Sequence, residues 1–295
     1  MSRQTTLKHW LRVAGRLAAL LGLAFVTWQA IQSWTQLRDA WLSTSLSSVG
    51  IAIVLYSSGA LLLALAWPLL LRGFDSSRVP IRPLFVLHLQ AQLSKYLPGG
   101  VLHFAQRHLA SRSLEIPHHK LLLATVVESL LLVIAAGLFA SALGEQPRLA
   151  TLAPWLPTAM SWLLPALVGL WLLAWLGHGC WATWSPRASR WFWLPVVSGL
   201  DLLFFGLAST AFWLLLPQPA MPLLDAASWL CLAWMAGYLI PGAPGGLGVR
   251  EAVLLLGLGP VLGEASALAA ALLYRIVTMV SDALCAALGY TWGRS

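Results

Sequence analysis

The chain has 295 residues and a formal net charge of +8; 59% of its residues are hydrophobic and 9% are charged, and its mean hydropathy is +0.78. A soluble domain carries about 25% charged residues because its surface faces water. This composition excludes a soluble enzyme, a nucleic-acid-binding protein and a disordered scaffold, and it predicts an all-α polytopic membrane protein. The three Cys residues lie far apart without CxxC spacing, so they predict neither a disulfide framework nor a metal site.

The first half of the chain predicts three spans and one broken segment. Apolar runs at about 17–34, 40–71 and 121–143 are long enough for transmembrane helices, which need about 20 residues. Residues 83–112 instead form two half-length apolar segments on either side of 95–100 (KYLPGG), with positive charges at both ends. Neither half can cross a bilayer, so we expect a re-entrant hairpin entered from the cytoplasm.

The second half of the chain repeats this order. Spans are predicted at about 158–178, 191–216 and 264–292, and a second broken segment at about 226–262 surrounds 240–248 (IPGAPGGLG). The first repeat is therefore 1–148 and the second, inverted one is 149–295, which is the layout of many transporters. We expect a single transmembrane domain over 1–295, with about six full spans and two re-entrant hairpins broken by Pro and Gly.

The positive charges orient this arrangement. Of the 18 Lys and Arg residues, the predicted topology puts twelve on cytoplasmic segments, two outside and four at membrane depth. Because Lys and Arg accumulate in cytoplasmic loops, both termini are predicted to be cytoplasmic.

The two broken segments are the candidate binding site. Broken helices persist in a bilayer only where they line a polar cavity or are buried in protein. Their glycines are expected to let the backbone approach a ligand, and helix N-termini beside basic side chains suit an anion. The residues predicted to bind substrate are Lys95, Tyr96, Pro98, Gly99, Gly100, His103, Arg107, Pro244, Gly245, Gly246, Gly248, Arg250, Glu251 and Arg275.

Acidic residues inside predicted spans are the second group of candidates, because an ionisable side chain at mid-membrane costs about 2.5–3.5 kcal/mol. Glu128, Asp201 and Asp282 are expected to be coupling or structural charges. Glu128 and Arg275 each follow a Pro-Gly-Gly by about 30 residues. We therefore expect them at equivalent depths, either as a central ion pair between the halves or in substrate or proton coupling.

Two sequence segments also resemble a known family. Residues 95–104 (KYLPGGVLHF) and 244–252 (PGGLGVREA) resemble the two signatures of the lysylphosphatidylglycerol synthase transmembrane-region family, and the resemblance covers nearly the whole chain. It implies a flippase that moves an anionic lipid or a polyprenyl-phosphate-linked saccharide between the leaflets of the cell inner membrane. The soluble aminoacyltransferase domain of the bifunctional members has no counterpart here, so we expect a stand-alone member without synthase activity.

Two other functions stay open from the residues alone. One is a membrane enzyme that acts on lipid phosphates with Glu128 or Asp201 as a base; the other is a non-transporting partner in a cell-envelope glycan or lipid assembly complex. We expect no enzymatic activity, no cofactor, no metal and no nucleic acid. The expected partners are the lipid substrate, the bilayer and cell-envelope glycosyltransferases.

Overall fold

The computed structural model describes residues 31, 34–74, 80–96, 102–110, 114, 116–141, 158, 162, 166, 193–217, 221–240 and 244–293. The predicted spans at 17–34 and 158–178 lie outside these residues except for isolated positions. The described part of the chain is helical and contains no strand. Its α-helices are α1 (Trp34–Ser43), α2 (Leu46–Phe74), α3 (Ile81–Ala91), α4 (Leu102–Ala110), α5 (His118–Ala140), α6 (Trp193–Trp213), α7 (Leu223–Leu239), α8 (Val249–Leu262) and α9 (Glu264–Trp292).

Four of these helices, α2, α5, α6 and α9, are long and apolar enough to cross a membrane. At about 1.5 Å per residue, even the shortest of them covers the roughly 30 Å of a hydrocarbon core. The chain is therefore a multi-pass membrane protein, as its composition predicts, and α9 has the predicted bounds. The span predicted within 40–71 is confirmed, but α2 begins only at Leu46, where Ser45 Oγ accepts a hydrogen bond from the Ser48 N–H (3.1 Å) and caps the start of the helix.

Small residues hold the long helices together. A Cβ on Gly59 of α2 would lie 2.9 Å from Phe204 Cδ2 of α6, so the two backbones approach closely only because this position is glycine. Buried alanines, among them Ala52 of α2 and Ala208 of α6, belong to one core cluster with Phe204. This is how helices pack in lipid, where van der Waals contact replaces a hydrophobic driving force.

Both predicted broken segments are confirmed as pairs of short helices, with bounds within a few residues of those expected. The first consists of α3, a 3₁₀ turn over Gln92–Tyr96, and α4. The second consists of α7, a 3₁₀ turn over Pro244–Gly246, and α8. Pro98, Gly99 and Gly100 of the first break lie outside the described residues.

The broken segments approach α9 from its two ends and meet near its middle. Alongside the last turns of α9, the ring of Phe85 contacts Trp292, and Gln90 Nε2 donates to the Gly289 carbonyl (3.1 Å). Gln90 thus bridges two helices. Further along, the Tyr96 ring lies against Gly245 of the second break. The tips of the two segments are therefore in contact.

Each broken segment also begins and ends at the same end of the helix bundle. At one end, α3 starts with Arg82 Nη2 within 3.5 Å of the Trp292 carbonyl, and His108 at the end of α4 hydrogen-bonds His118 at the start of α5 (2.7 Å). At the other end, α8 is joined to the start of α9 through Gly263 alone. The start of α7 lies there as well, because Ser228 Oγ donates to a carbonyl in the last turn of α5 (2.8 Å).

Candidate substrate-binding site

A cavity of about 370 Å³ lies between the two breaks. Its wall contains residues from both broken segments and from the four long helices. Basic and aromatic side chains dominate this wall. They are Tyr56, His88, Lys95, Tyr96, His103, Phe104, Arg107, Phe204, Trp234, Tyr238, Arg250 and Arg275.

At the first break, Lys95 and Tyr96 are both anchored to α9 through one carboxylate. Lys95 Nζ lies 2.8 Å from Asp282 Oδ2, and the Tyr96 hydroxyl donates to the same oxygen. Asp282 is fully buried, so the ammonium supplies the counter-charge that its carboxylate needs. The tip of the first broken segment is thereby fixed to the middle of α9.

Arg107 of α4 forms a buried two-pronged ion pair with Glu128 of α5. Its Nη1 and Nη2 atoms donate to Glu128 Oε1 (3.0 Å) and Oε2 (2.6 Å), a geometry that only guanidinium provides. Nη1 also donates to His88 Nδ1 (2.8 Å), which assigns an acceptor role to that nitrogen. The indole of Trp67 lies 4.6 Å from the guanidinium carbon. His88 therefore bridges helices and also reaches the cavity wall.

The second break is organised by Glu251 in the first turn of α8. Glu251 Oε2 accepts a hydrogen bond from the Gly248 N–H (2.8 Å), which satisfies a free amide at the start of the helix. Its other oxygen accepts from Arg275 Nη1 of α9 at 2.9 Å. Gly248 has φ = 79° and Gly245 has φ = 56°, backbone conformations that glycine adopts without strain.

The prediction of an ion pair between Glu128 and Arg275 is wrong. Glu128 is bonded to Arg107, and Arg275 is bonded to Glu251, so each charge finds its partner within its own half of the chain. In both halves the pair joins the helix after the break to the long helix that follows. The positions of acid and base are exchanged between the halves. In the first half the arginine lies on the short helix α4, whereas in the second half it lies on the long helix α9.

Arg250 differs from the other three cations in the cavity wall. Lys95, Arg107 and Arg275 each contact a carboxylate. Within the described residues, no carboxylate lies within ion-pair distance of Arg250, and its buried Nε has no hydrogen-bond partner. Its guanidinium carbon lies 5.9 Å from the Trp234 ring. The wall thus carries one positive charge more than its acids neutralise.

Two glycines make room for Arg250. A Cβ on Gly237 would lie 2.7 Å from Arg250 Cγ, and a Cβ on Gly246 would lie 2.6 Å from Arg250 Nε. From the sequence, the glycines of the breaks are expected to let the backbone approach a ligand. For Gly246 the structure gives a different reason, since the space it leaves is filled by a side chain of the protein itself.

The aromatic part of the wall was not predicted from the sequence. Trp234 and Tyr238 stack at 4.6 Å, and the Tyr238 hydroxyl donates to Ser129 Oγ of α5 (2.8 Å). Their spacing of four residues on α7 places them on one helix face and is the signal that could have found them. Among 17 Trp residues this signal is hidden, because most indoles in such a chain are expected at the membrane interface.

The remaining predicted residues fall in different places. His103, Gly245, Gly246 and Arg275 line the cavity, whereas Asp282 and Glu251 lie behind its wall and hold the cations in place. Asp201 of α6 is fully buried and is not part of the wall. Across the described part of the chain, no cluster of three or more His, Cys, Asp or Glu residues has metal-binding geometry.

The chain matches the model of a known family. The model of the family described as "Lysylphosphatidylglycerol synthase TM region" matches residues 13–286. The match extends over nearly the whole chain and includes both broken segments and the residues of the cavity wall. No curated protein matches the chain.

Proposed function

The chain belongs to the lysylphosphatidylglycerol synthase TM-region family, a family of membrane proteins of lipid metabolism or transport, and we propose that it is a flippase. Its substrate in this proposal is an anionic lipid or a polyprenyl-phosphate-linked saccharide, moved between leaflets of the cell inner membrane without chemical change. The observation that carries the proposal is that Arg250 lines a cavity between two broken helices and has no carboxylate within ion-pair distance among the described residues.

The physical argument begins with the cost of that charge. The Arg250 side chain is half-buried, its Nε is fully buried, and no carboxylate among the described residues pairs with it. Such a charge is unfavourable, because the protein replaces only part of its hydration. A phosphate accepts two parallel hydrogen bonds from guanidinium and brings the missing negative charge. The acids that hold Lys95, Arg107 and Arg275 keep three further cations close by. We therefore assign the lipid phosphate to Arg250.

The arrangement of the helices supports an alternating-access cycle. The two broken segments reach the middle of α9 from opposite ends, and their tips touch at Tyr96 and Gly245. In our proposal they are re-entrant hairpins of an inverted repeat with six full spans and cytoplasmic termini. Rocking of one repeat against the other would open the cavity first to one leaflet and then to the other, while the acyl or prenyl chain stays in lipid.

The exchanged ion pairs fit the same proposal. Arg107–Glu128 and Glu251–Arg275 each join a hairpin to the long helix that follows it. These pairs tie each hairpin to its own repeat. Further contacts join each hairpin to the other repeat: Gln90 of α3 donates to the Gly289 carbonyl of α9, and the Tyr238 hydroxyl of α7 donates to Ser129 of α5. Among the described residues, Lys95–Asp282 is the ion pair that crosses between the halves, so we assign to it the closing and opening of the cavity.

The test is lipid translocation by the purified protein in liposomes that contain a fluorescent phospholipid or polyprenyl phosphate. Loss of one charge-assisted contact costs about 1.5–3 kcal/mol, so Arg250→Ala should weaken lipid binding about tenfold to a hundredfold. Arg38→Ala is the matched control, because the Arg38 side chain is 60% exposed. Native mass spectrometry of both variants measures the bound lipid directly.

These measurements, together with assays of phosphate release and copurification, separate the alternatives. Equal lipid binding and equal translocation in both variants would remove Arg250 from the site. Sustained release of phosphate from the lipid would favour the membrane enzyme. Copurification with a glycosyltransferase, without any lipid movement by the wild type, would favour the non-transporting partner.

A further inference from the structure

Asp201 is a buried carboxyl group that the proposed lipid site does not use. It lies in the middle of α6 with 0% of its surface exposed. Neither of its carboxyl oxygens accepts a hydrogen bond from any described residue. Such a position is rare for an acid, because buried polar groups are almost always hydrogen-bonded.

Among the described residues, the charged groups around Asp201 offer it no counter-ion. Helix α6 packs against α2, α5 and α7, and more weakly against α9. Glu128 of α5 is the charged residue close enough to act on Asp201 electrostatically, and its effect is repulsive. Both oxygens of Glu128 are occupied by Arg107. The other titratable residues on the packing helices are Tyr56, Arg72, His118, His119, Lys120, Asp225, Cys231, Tyr238, Glu264, Tyr274, Arg275, Asp282, Cys285 and Tyr290.

This environment selects the neutral form of the acid. An ionised carboxylate without partners in an apolar interior is far more costly than a neutral carboxyl group, which costs about 1–3 kcal/mol when it is not hydrogen-bonded. A second negative charge on Glu128 adds to that cost. In the conformation described, Asp201 is therefore a carboxylic acid that carries one proton.

The cavity lies directly beyond this acid. Glu128 and Leu132 of α5, Leu63 of α2 and Phe204 of α6 all belong to its wall. Phe204 follows Asp201 by three residues, which places both on the same side of α6. A movement that opened this wall would bring the carboxyl group to water, where it ionises readily.

We propose that Asp201 is the proton-binding residue through which lipid translocation is coupled to a proton gradient, an inference that rests on the proposed flippase function. Asp201 binds one proton from water and is buried as a neutral acid in the conformation described. It releases that proton to water when the repeats rock and the wall opens. One O–H bond forms and breaks in each cycle, and no other group changes.

The first test is infrared difference spectroscopy of the wild type against Asp201→Asn at neutral pH. The wild type should show the carbonyl band of a protonated carboxyl group, shifted in deuterium oxide and missing in the variant. Asp39→Asn is the matched control, because it removes a carboxyl group whose side chain is 67% exposed, and it should keep the band of the wild type. The absence of such a band in the wild type would overturn the proposal, whether or not the protein moves lipid.

The second test is translocation in liposomes with and without a pH difference across the membrane. A difference of one pH unit changes the equilibrium ratio of lipid in the two leaflets by about tenfold for a one-proton cycle. Asp201→Asn should keep the wild-type melting temperature and lipid binding, because asparagine resembles the neutral acid, but should lose the response to the gradient. A variant that responds like the wild type contradicts the coupling while leaving flipping intact. If Asp201→Asn fails to fold, the claim that Asp201 is buried as a neutral acid is contradicted.

Discussion

Arg250 occupies space that two neighbouring glycines leave open. Gly237 of α7 and Gly246 of the second break both face its side chain, and any Cβ there would lie closer than 3 Å to it. The guanidinium is held in position by shape and by the nearby Trp234 ring rather than by an acid. A cation held in this way keeps its charge available to a ligand.

A first prediction concerns Gly237. Gly237→Ala should displace Arg250, because the new Cβ lies 2.7 Å from Arg250 Cγ and 3.0 Å from Gly246 Cα. Lipid binding should weaken about tenfold or more, as expected for the loss of one charge-assisted hydrogen bond. Native mass spectrometry with titrated lipid measures this change.

Gly199→Ala is the control for that substitution. Gly199 also lies within a helix, but a Cβ there has no atom within 4 Å. It should therefore bind lipid like the wild type. If the two alanine variants bind lipid equally well, the position of Arg250 is not set by Gly237.

At the residue scale, the sequence identifies the charges better than their partners. Arg250 and Glu251 stand out because they follow a Pro/Gly break. That Glu251 caps its own helix and holds Arg275 follows only from the packing of α8 against α9. The Glu128–Arg275 pair was wrongly predicted for the same reason, because ion-pair partners depend on helix packing. Equivalent positions in two repeats have similar depths in the membrane but need not be neighbours.

Among the described residues, helices α4 and α5 are joined by the buried ion pair Arg107–Glu128 and by the His108–His118 hydrogen bond, so the loss of the ion pair is costly at the scale of the element. Glu128→Gln removes the carboxylate that is paired with Arg107, and breaking a buried pair in this way costs about 3–5 kcal/mol. We expect a clearly lower melting temperature in detergent. Asp39→Asn, which removes the acid of an exposed pair, should have little effect.

The double variant Arg107→Glu/Glu128→Arg tests whether the pair is mainly a tie between helices. It gives the first half the polarity of the second, where the acid lies on the short helix. We expect it to recover part of the stability lost in Glu128→Gln. A double variant no more stable than Glu128→Gln would show that the orientation of Arg107 toward His88 and Trp67 matters more than the tie.

Short helices and their breaks are readable from the sequence because each break contains residues that disrupt helices. The second break has two prolines and four glycines between Ile240 and Gly248, and α7 ends at its first residues. The start of α2 was missed because its signal is weaker. Ser45 caps that helix within an uncharged run that hydropathy alone reads as continuous.

Over the whole molecule, the two ends of each broken segment lie at the same end of the bundle. This arrangement predicts a labelling pattern with a membrane-impermeant maleimide on a variant without native cysteines. Leu223→Cys and Glu264→Cys should react from outside the cell. Arg82→Cys and His119→Cys should react only after permeabilisation, because both lie at the opposite end.

One labelling result would contradict this arrangement. If Arg82→Cys and His119→Cys were labelled from opposite sides, the first broken segment would cross the membrane and would not be a re-entrant hairpin. The same holds for Leu223→Cys and Glu264→Cys in the second segment. Ser45→Cys, in the cap of α2, should react from the same side as Leu223→Cys because both lie at one end of the bundle.

The sequence by itself determined that this chain is an all-helical multi-pass membrane protein, where four of its long helices lie and where two helices break. These properties follow from local composition, because hydropathy, proline and glycine act within a few residues of where they stand. Only the tertiary structure decided which acid neutralises which base, that Trp234 and Tyr238 face the cavity, and that Arg250 has no carboxylate beside it among the described residues. Those properties depend on the packing of helices that are distant in the sequence, and a shift of one residue along a helix turns a side chain by about 100°.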